Sequence, residues 1–294
     1  PRNDGIKKIL LLLAILFSFN SFSQEVKFKK YSYSQLFELI ENENDSIFKL
    51  ENALIVFNIK TDSSFIVKSN YLEKPIAIKK SDSIIVNKRL EFENVYFLQD
   101  LLNYIKRPTG IGLTSIDYGA LHNIVFNKPV RINNSYNIRI YNSTFKEGLS
   151  IRFNNNEPIV TPNKLKKTGM LNNNTFVAIS FNEFKKGVSV TNFNNLEIEN
   201  PRTVYLMINS NVINSIDNKN LFSGTINIRN SKGNTEIHKN KITGNGISTI
   251  SFENQQSATI SGNEFLSRMI SIRIGDKTEK LTFSKNKFSD DLQL

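Results

Sequence analysis

Residues able to act as acid, base, nucleophile or metal ligand are few and scattered in this chain. There are two histidines, His122 and His238, far apart and in no His-x-x-x-His pair. A lone histidine in a strand-rich chain is ordinarily a surface residue. No cysteine is present, which removes disulfides, thiolate zinc sites, iron–sulfur clusters and a cysteine nucleophile. Carboxylates cluster at Glu41-Asn-Glu-Asn-Asp45 and at Asp290-Asp291. Glycoside hydrolysis needs two carboxylates facing each other across a sugar, and calcium sites need several oxygens at set spacing. Neither cluster has such spacing, and both read as solvated acidic turns. No Gly-x-Ser-x-Gly elbow occurs. Thr109-Gly-Ile-Gly112 and Thr243-Gly-Asn-Gly246 faintly resemble a potassium filter, but a filter needs flanking membrane helices. Phenylalanines interleaved with lysines suit single-stranded nucleic acid, yet phenylalanine at repeat-equivalent positions is what a stacked core requires. The expectation is no catalytic residue, no metal and no cofactor.

The composition turns attention to the backbone. Asparagine makes up 41 of the 294 residues, spread from Asn42 to Asn286 apart from two near the start. Asparagine tolerates the left-handed backbone region and bonds its own main chain in turns, so turns are expected at regular intervals. A chain of this length buries most of its apolar surface without disulfides. The formal net charge is +11, or +9 once Arg2, Lys7, Lys8 and Asp4 are set aside, leaving 35 basic against 26 acidic residues. A basic protein can hold nucleic acid, anionic glycans or a membrane surface. Here the two signs are interleaved, and an AT-rich coding sequence enriches Lys, Asn, Ile and Phe together.

The first residues read as an export signal. Lys7 and Lys8 precede the apolar run Ile9–Phe17, followed by Ser18-Phe-Asn-Ser-Phe-Ser-Gln24, with small side chains at Ser21 and Ser23 where a signal peptidase acts. The run is well short of the ~20 residues that span a bilayer. Residues 1–23 are therefore expected to be a signal peptide, and the remainder to be exported to the periplasm, the cell surface or the medium.

An Asn-bearing turn followed by an aromatic or branched residue recurs along the chain. The early copies read Asn94-Val-Tyr-Phe97, Asn123-Ile-Val-Phe126 and Asn142-Ser-Thr-Phe145. Later copies tighten to Asn182-Glu-Phe184, Asn211-Val-Ile213, Asn240-Lys-Ile242, Asn263-Glu-Phe265 and Asn286-Lys-Phe288. The anchors Phe97, Phe126, Phe145, Phe184, Ile213, Ile242, Phe265 and Phe288 are separated by 29, 19, 39, 29, 29, 23 and 23 residues. The gap of 39 holds a loop insertion at 154–170 and a possible extra copy, Asn174-Thr-Phe176. Between anchors lie alternating strings such as Leu149-Ser-Ile-Arg-Phe153, Ile226-Asn-Ile-Arg229 and Met269-Ile-Ser-Ile-Arg-Ile274. Alternation at period two is the signal of a half-buried strand. Short strands at this spacing, with no helix between them, predict an all-β right-handed parallel β-helix, each pass stacked ~4.8 Å above the last. The rival, an antiparallel sandwich, wants two-residue hairpins, for which Gly244-Asn-Gly246 is the one good candidate.

The start of the mature chain is less regular. Ser32-Tyr-Ser-Gln-Leu-Phe-Glu-Leu-Ile40 predicts a short amphipathic helix, and Phe97-Leu-Gln-Asp-Leu-Leu-Asn-Tyr-Ile105 a second. Because an open solenoid end exposes unpaired strand, a cap is needed. Residues 24–56 are expected to form a helical N-terminal cap and 57–294 the parallel β-helix.

Tyr31–Ile40, Asp45-Ser-Ile-Phe-Lys-Leu-Glu-Asn52, Leu90-Glu-Phe-Glu-Asn-Val-Tyr-Phe97 and the Asn-x-Phe copies together resemble the outer region of a family of bacterial membrane proteins. These carry a signal peptide, a β-helix of degenerate pentapeptide-like repeats outside the cytoplasm, and a potassium-channel-like pore. The resemblance implies a sensory, docking or spacer ectodomain. It carries over no ion-conducting residue, and contact with a membrane would come only through a further C-terminal segment. The expected function is thus a non-enzymatic exported scaffold or binding region, with other envelope proteins or anionic glycans as partners and nucleic acid disfavoured. The alternative is a secreted β-helix that binds or degrades polysaccharide, a reading that rests on fold analogy.

Overall fold

The computed structural model describes residues 27–57, 62, 67–70, 84–99, 114–117, 121–122, 124–135, 138–153, 177–191, 206–214, 225–231, 234–252, 257–275 and 279–288. The expected signal peptide, the loop insertion at 154–170, Asn174–Phe176, Thr109–Gly112 and Asp290-Asp291 lie outside these residues. Apart from one helix, the described elements are strands, and nearly all pair in parallel. They form a sheet of fifteen strands, a sheet of seven, and a two-stranded antiparallel pair of Val67–Asn70 with Thr114–Asp117.

From about residue 121 onward each pass of the chain lays one strand in each of three rows. The first row is the seven-stranded sheet, in which Ile138–Tyr141 pairs with Val177–Ser180, and that strand with Leu206–Asn209. The second row holds Thr144–Phe145, Glu183–Phe184 and Val212–Asn214. The third holds Leu149–Arg152, Gly187–Thr191 and Thr225–Ser231. The second and third rows count as one sheet because Lys241–Phe252 and Glu264–Ile274 run through both. Gly244-Asn-Gly246 is no hairpin: the strand continues through it, and the parallel register with Glu264–Ile274 shifts between Gly244 and Ile247.

Alternation explains the burial. In Leu149–Arg152 the apolar residues are buried and Ser150 and Arg152 exposed. Apolar residues fall in register from pass to pass, as in Phe92, Ile132, Ile151, Val190, Ile228 and Ile250, all fully buried. One large continuous core results, with Tyr96, Phe28, Leu54 and Val56 forming a small separate cluster.

The one described helix, α1 (Tyr33–Asn42), starts at Ser32, whose side chain accepts from the Gln35 N–H while the Gln35 side chain accepts from the Ser32 N–H. This reciprocal cap fixes the helix start. The fully buried Asp62 also accepts from the N–H groups of Tyr33 and Ser34 and from the Ser34 hydroxyl. At the other end, the Lys88 ammonium donates to the carbonyls of Ile40, Glu41 and Glu43, which places a cation on the negative end of the helix dipole. Leu36 and Ile40 bury against the core, so α1 is tied to the sheet at both termini.

Two expectations change here. The cap boundary at residue 56 falls inside a strand, Ile47–Phe57, which pairs in parallel with Arg89–Gln99. Its apolar residues Phe48, Leu50, Ala53 and Ile55 are buried, so burial draws it into the sheet and leaves α1 and the strand Lys29–Tyr31 ahead of it. The second helix does not begin at Phe97: Val95–Gln99 are strand, because Ala53–Phe57 supplies their backbone partners and Val95 and Phe97 bury. Residues 100–105 lie outside the described residues.

Candidate functional site

The most specific side-chain chemistry among the described residues lies at the bend between the first and second rows. Each bend uses two residues. The first has a positive φ, as in Asn142, Phe181, Ser210, Lys239, Gly262 and Lys285. The second points inward and is Ser143, Asn182, Asn211, Asn240, Asn263 or Asn286. The tightening of the repeat has this structural meaning: in Asn142-Ser-Thr-Phe145 the asparagine takes the left-handed position, and in later copies it takes the inward one.

The inward asparagines form a ladder. The Asn182 Oδ1 accepts from the Ser143 N–H at 2.9 Å. The Asn211 Oδ1 accepts from both the N–H and the Nδ2 of Asn182, at 3.0 and 3.1 Å. Asn240, Asn263 and Asn286 repeat this acceptance in turn. Each Nδ2 also donates to a first-row carbonyl of the preceding pass: Ile140, Ile179, Ile208, Ile237 and Ile260, at 2.8–2.9 Å. A buried bend strands backbone groups that must be paired. An amide, with two donors and an acceptor, meets that need from a single side chain.

Two residues beyond each ladder position lies the second-row core column. Phe126, Phe145, Phe184, Ile213, Ile242, Phe265 and Phe288 are in direct register. The rings stack at 4.6 Å for Phe126–Phe145, 4.8 Å for Phe145–Phe184 and 5.5 Å for Phe265–Phe288. Phe97 is not in this column, whose position before Phe126 is Val86. Asn94, at φ 54°, turns the chain after Glu93, so Phe97 pairs with Ile55 and meets the edge of Phe92 at 6.1 Å. Asn94 also joins a second, shorter asparagine contact, its Nδ2 donating to the Asn52 Oδ1 at 2.7 Å.

The histidines do not meet. His122 and His238 occupy one first-row column, but Tyr141, Ser180 and Asn209 stand between them, which sets their backbones ~19 Å apart at the usual strand spacing. The His238 Nε2 lies 3.8 Å from the Glu236 carboxylate, too far for a hydrogen bond, and has no hydrogen-bond partner. Burial holds this imidazole below its ordinary pKa, the nearby Glu236 opposes that shift, and Lys239 adds to it. Glu43, in the first acidic cluster, accepts from the Asn44 and Asp45 N–H groups in a solvated turn. Among the described residues no three His, Cys, Asp or Glu side chains converge as metal ligands.

The outer face of the third row is a different surface. Its first two strands carry both signs: Glu51 and Glu93 stand in one column, and in the next Glu91 is ion-paired with Arg89 and lies 3.9 Å from Lys49 and 3.7 Å from Arg131. Beyond them the outward side chains described are those of Asn, Ser, Thr and Arg. One column runs Asn133, Arg152, Thr191 and Arg229; on the next two strands Ser251 pairs with Arg273, and the register with the Arg229 strand shifts between Ile228 and Ser231. Arg152, Arg229 and Arg273 are exposed, and none makes an ion pair among the described residues. Sequence reasoning did not single them out, although the dipeptide Ile-Arg recurs in three of the alternating strings: Ile151-Arg152, Ile228-Arg229 and Ile272-Arg273.

Comparison with protein-family models, with curated proteins and with solved structures gives no match.

Two outcomes are expected. Asn211→Ala leaves Asn182 without its acceptor and the Ile179 carbonyl without its donor, so chemical denaturation should show a loss of about 3 kcal/mol, against under ~0.5 kcal/mol for the exposed Ser150→Ala. The lowered His238 pKa means that the unfolded chain takes up its proton first as pH falls. The contribution of neutral His238 is therefore complete above the unfolded-state pKa near 6.5 and is lost as pH drops through the folded-state value. Melting temperatures followed down from pH 7 should fall less steeply for His238→Gln than for the parent.

Proposed function

We propose that this chain is an exported right-handed parallel β-helix that acts by presenting a surface, without catalysis. Several observations support the solenoid reading. Successive strands pair in parallel along three rows, an amide ladder links every pass from residue 143 to 286, and the crossover rule favours the right hand. Parallel sheets are normally covered on both faces, yet the third row alternates buried and open residues, as the single wall of a solenoid does.

The observation that carries the function is the third-row face itself. From Val130 to Phe252 its inward side chains are buried in the core, and the outward ones described there and on the last strand are hydroxyls, amides and arginines repeated at strand spacing. Such a face offers a regular array of hydrogen-bond donors to an extended partner. The resemblance to the outer region of channel-type membrane proteins supplies a setting, with the chain standing outside the membrane as a docking or spacer region. The alternative, a polysaccharide-degrading β-helix, would call for converging acid and base groups. The test is to incubate the purified chain with acidic and neutral polysaccharides and to follow both co-sedimentation and polymer length. Retention with unchanged length is expected, and shortening of any polymer with release of new chain ends contradicts the reading.

A further inference from the structure

The arginines on the third-row face are spaced regularly as well as grouped. Arg152 and Arg229 are separated by Thr191, and Arg229 and Arg273 by the strand that carries Ser251. Each arginine thus lies two strand spacings from the next, ~9.6 Å. Read across the strands, the column offers guanidinium, hydroxyl, guanidinium as far as Arg229, and the pair Ser251 and Arg273 continues the order on the two strands beyond. The Ile228–Ser231 stretch contains a register irregularity, which falls at the middle arginine.

We infer that this column binds an acidic polysaccharide carrying one anionic group per disaccharide, laid along the stacking direction. This rests on the non-catalytic surface reading above and names its partner class. In such a polymer an acidic sugar alternates with a neutral one, so each carboxylate or sulfate meets a guanidinium, whose planar fork of donors suits both. The neutral sugars fall over Thr191 and Ser251, whose hydroxyls pair with sugar hydroxyls. The neighbouring column, Ser150, Ser189, Asn227, Thr249 and Ser271, widens the same polar track.

Polynucleotide fits the face poorly. Its phosphates recur every ~3.4 Å along a stacked strand, far more closely than these arginines, and single-strand binding relies on aromatic platforms, of which this face has none among the described residues from Asn133 to Arg273. The track also has a defined end. Glu93 precedes Asn133 in the same column, and Glu91 holds Arg131 and Arg89 in the next. Along this column the carboxylates of Glu93 and Glu51 oppose an anionic chain, while Glu91 is neutralised by its basic neighbours, which leaves six strands beyond them, about 24 Å of the stack.

The experiment is calorimetric titration of the full chain with hyaluronan fragments long enough to carry one carboxylate per arginine. Dextran serves as the neutral control and single-stranded DNA as the polyanion control. The variants are Arg152→Ser/Arg229→Ser/Arg273→Ser, which places on exposed positions a residue already found on neighbouring strands, and Arg131→Ser as a positional control. Salt-sensitive binding of hyaluronan and none of dextran is expected. The triple variant should bind at least roughly tenfold more weakly, with its melting temperature unchanged, and Arg131→Ser should bind like the parent. No binding of hyaluronan, an unchanged affinity in the triple variant, or tighter binding of DNA through the same arginines overturns the inference, and none of these touches the non-catalytic reading. Shortening of the hyaluronan overturns the non-catalytic reading and leaves the arginine assignment to be judged by the triple variant alone.

Discussion

The fold depends on keeping one amide satisfied at every bend. Between the first and second rows the chain turns inward over two residues and would strand backbone groups in the core. The side chains of Asn182, Asn211, Asn240, Asn263 and Asn286 pair those groups and one another. Because each amide bonds to the pass before and the pass after, the ladder fixes the vertical register. A one-residue slip would take the amide out of reach and turn each strand's core residues outward.

The rest of the cross-section follows from that register. With the ladder fixed, the residue two places on always faces inward, and there the rings or branched chains of the second row stack. The third row keeps its alternation for the same reason, with Ile151, Val190, Ile228 and Ile250 inside and polar residues outside. The inner residues are dictated by packing. The outer ones are free of that constraint, so the change along the third-row face, from paired charges of both signs to arginines without ion pairs among the described residues, is where the molecule has room for a function.

Much of this was legible in the sequence because ladder and core column lie at a fixed offset. Asn-x-Phe or Asn-x-Ile at 182, 211, 240, 263 and 286 marks both, and Ser32 with Gln35 marks the start of α1. The misreadings have a common cause. Phe97 has the right type and spacing, yet the positive φ of Asn94 sends it to a different column. The cap boundary was set by irregular spacing, whereas Ile47–Phe57 joins the sheet through burial of alternate residues. The arginine column was hidden because its members lie 77 and 44 residues apart in sequence and become periodic only when strands of unequal spacing are stacked.

The central claim is that the passes are structurally equivalent units held by one ladder. Excision of a whole unit tests it most directly. Deleting residues 211–239 joins Ser210 to Asn240, which leaves Asn182 able to meet the next amide and brings Leu206–Asn209 against Ser257–Ser261. The account predicts that the shortened chain keeps its strand circular dichroism and unfolds cooperatively. Loss of that signal, or gradual unfolding with no transition, would contradict it.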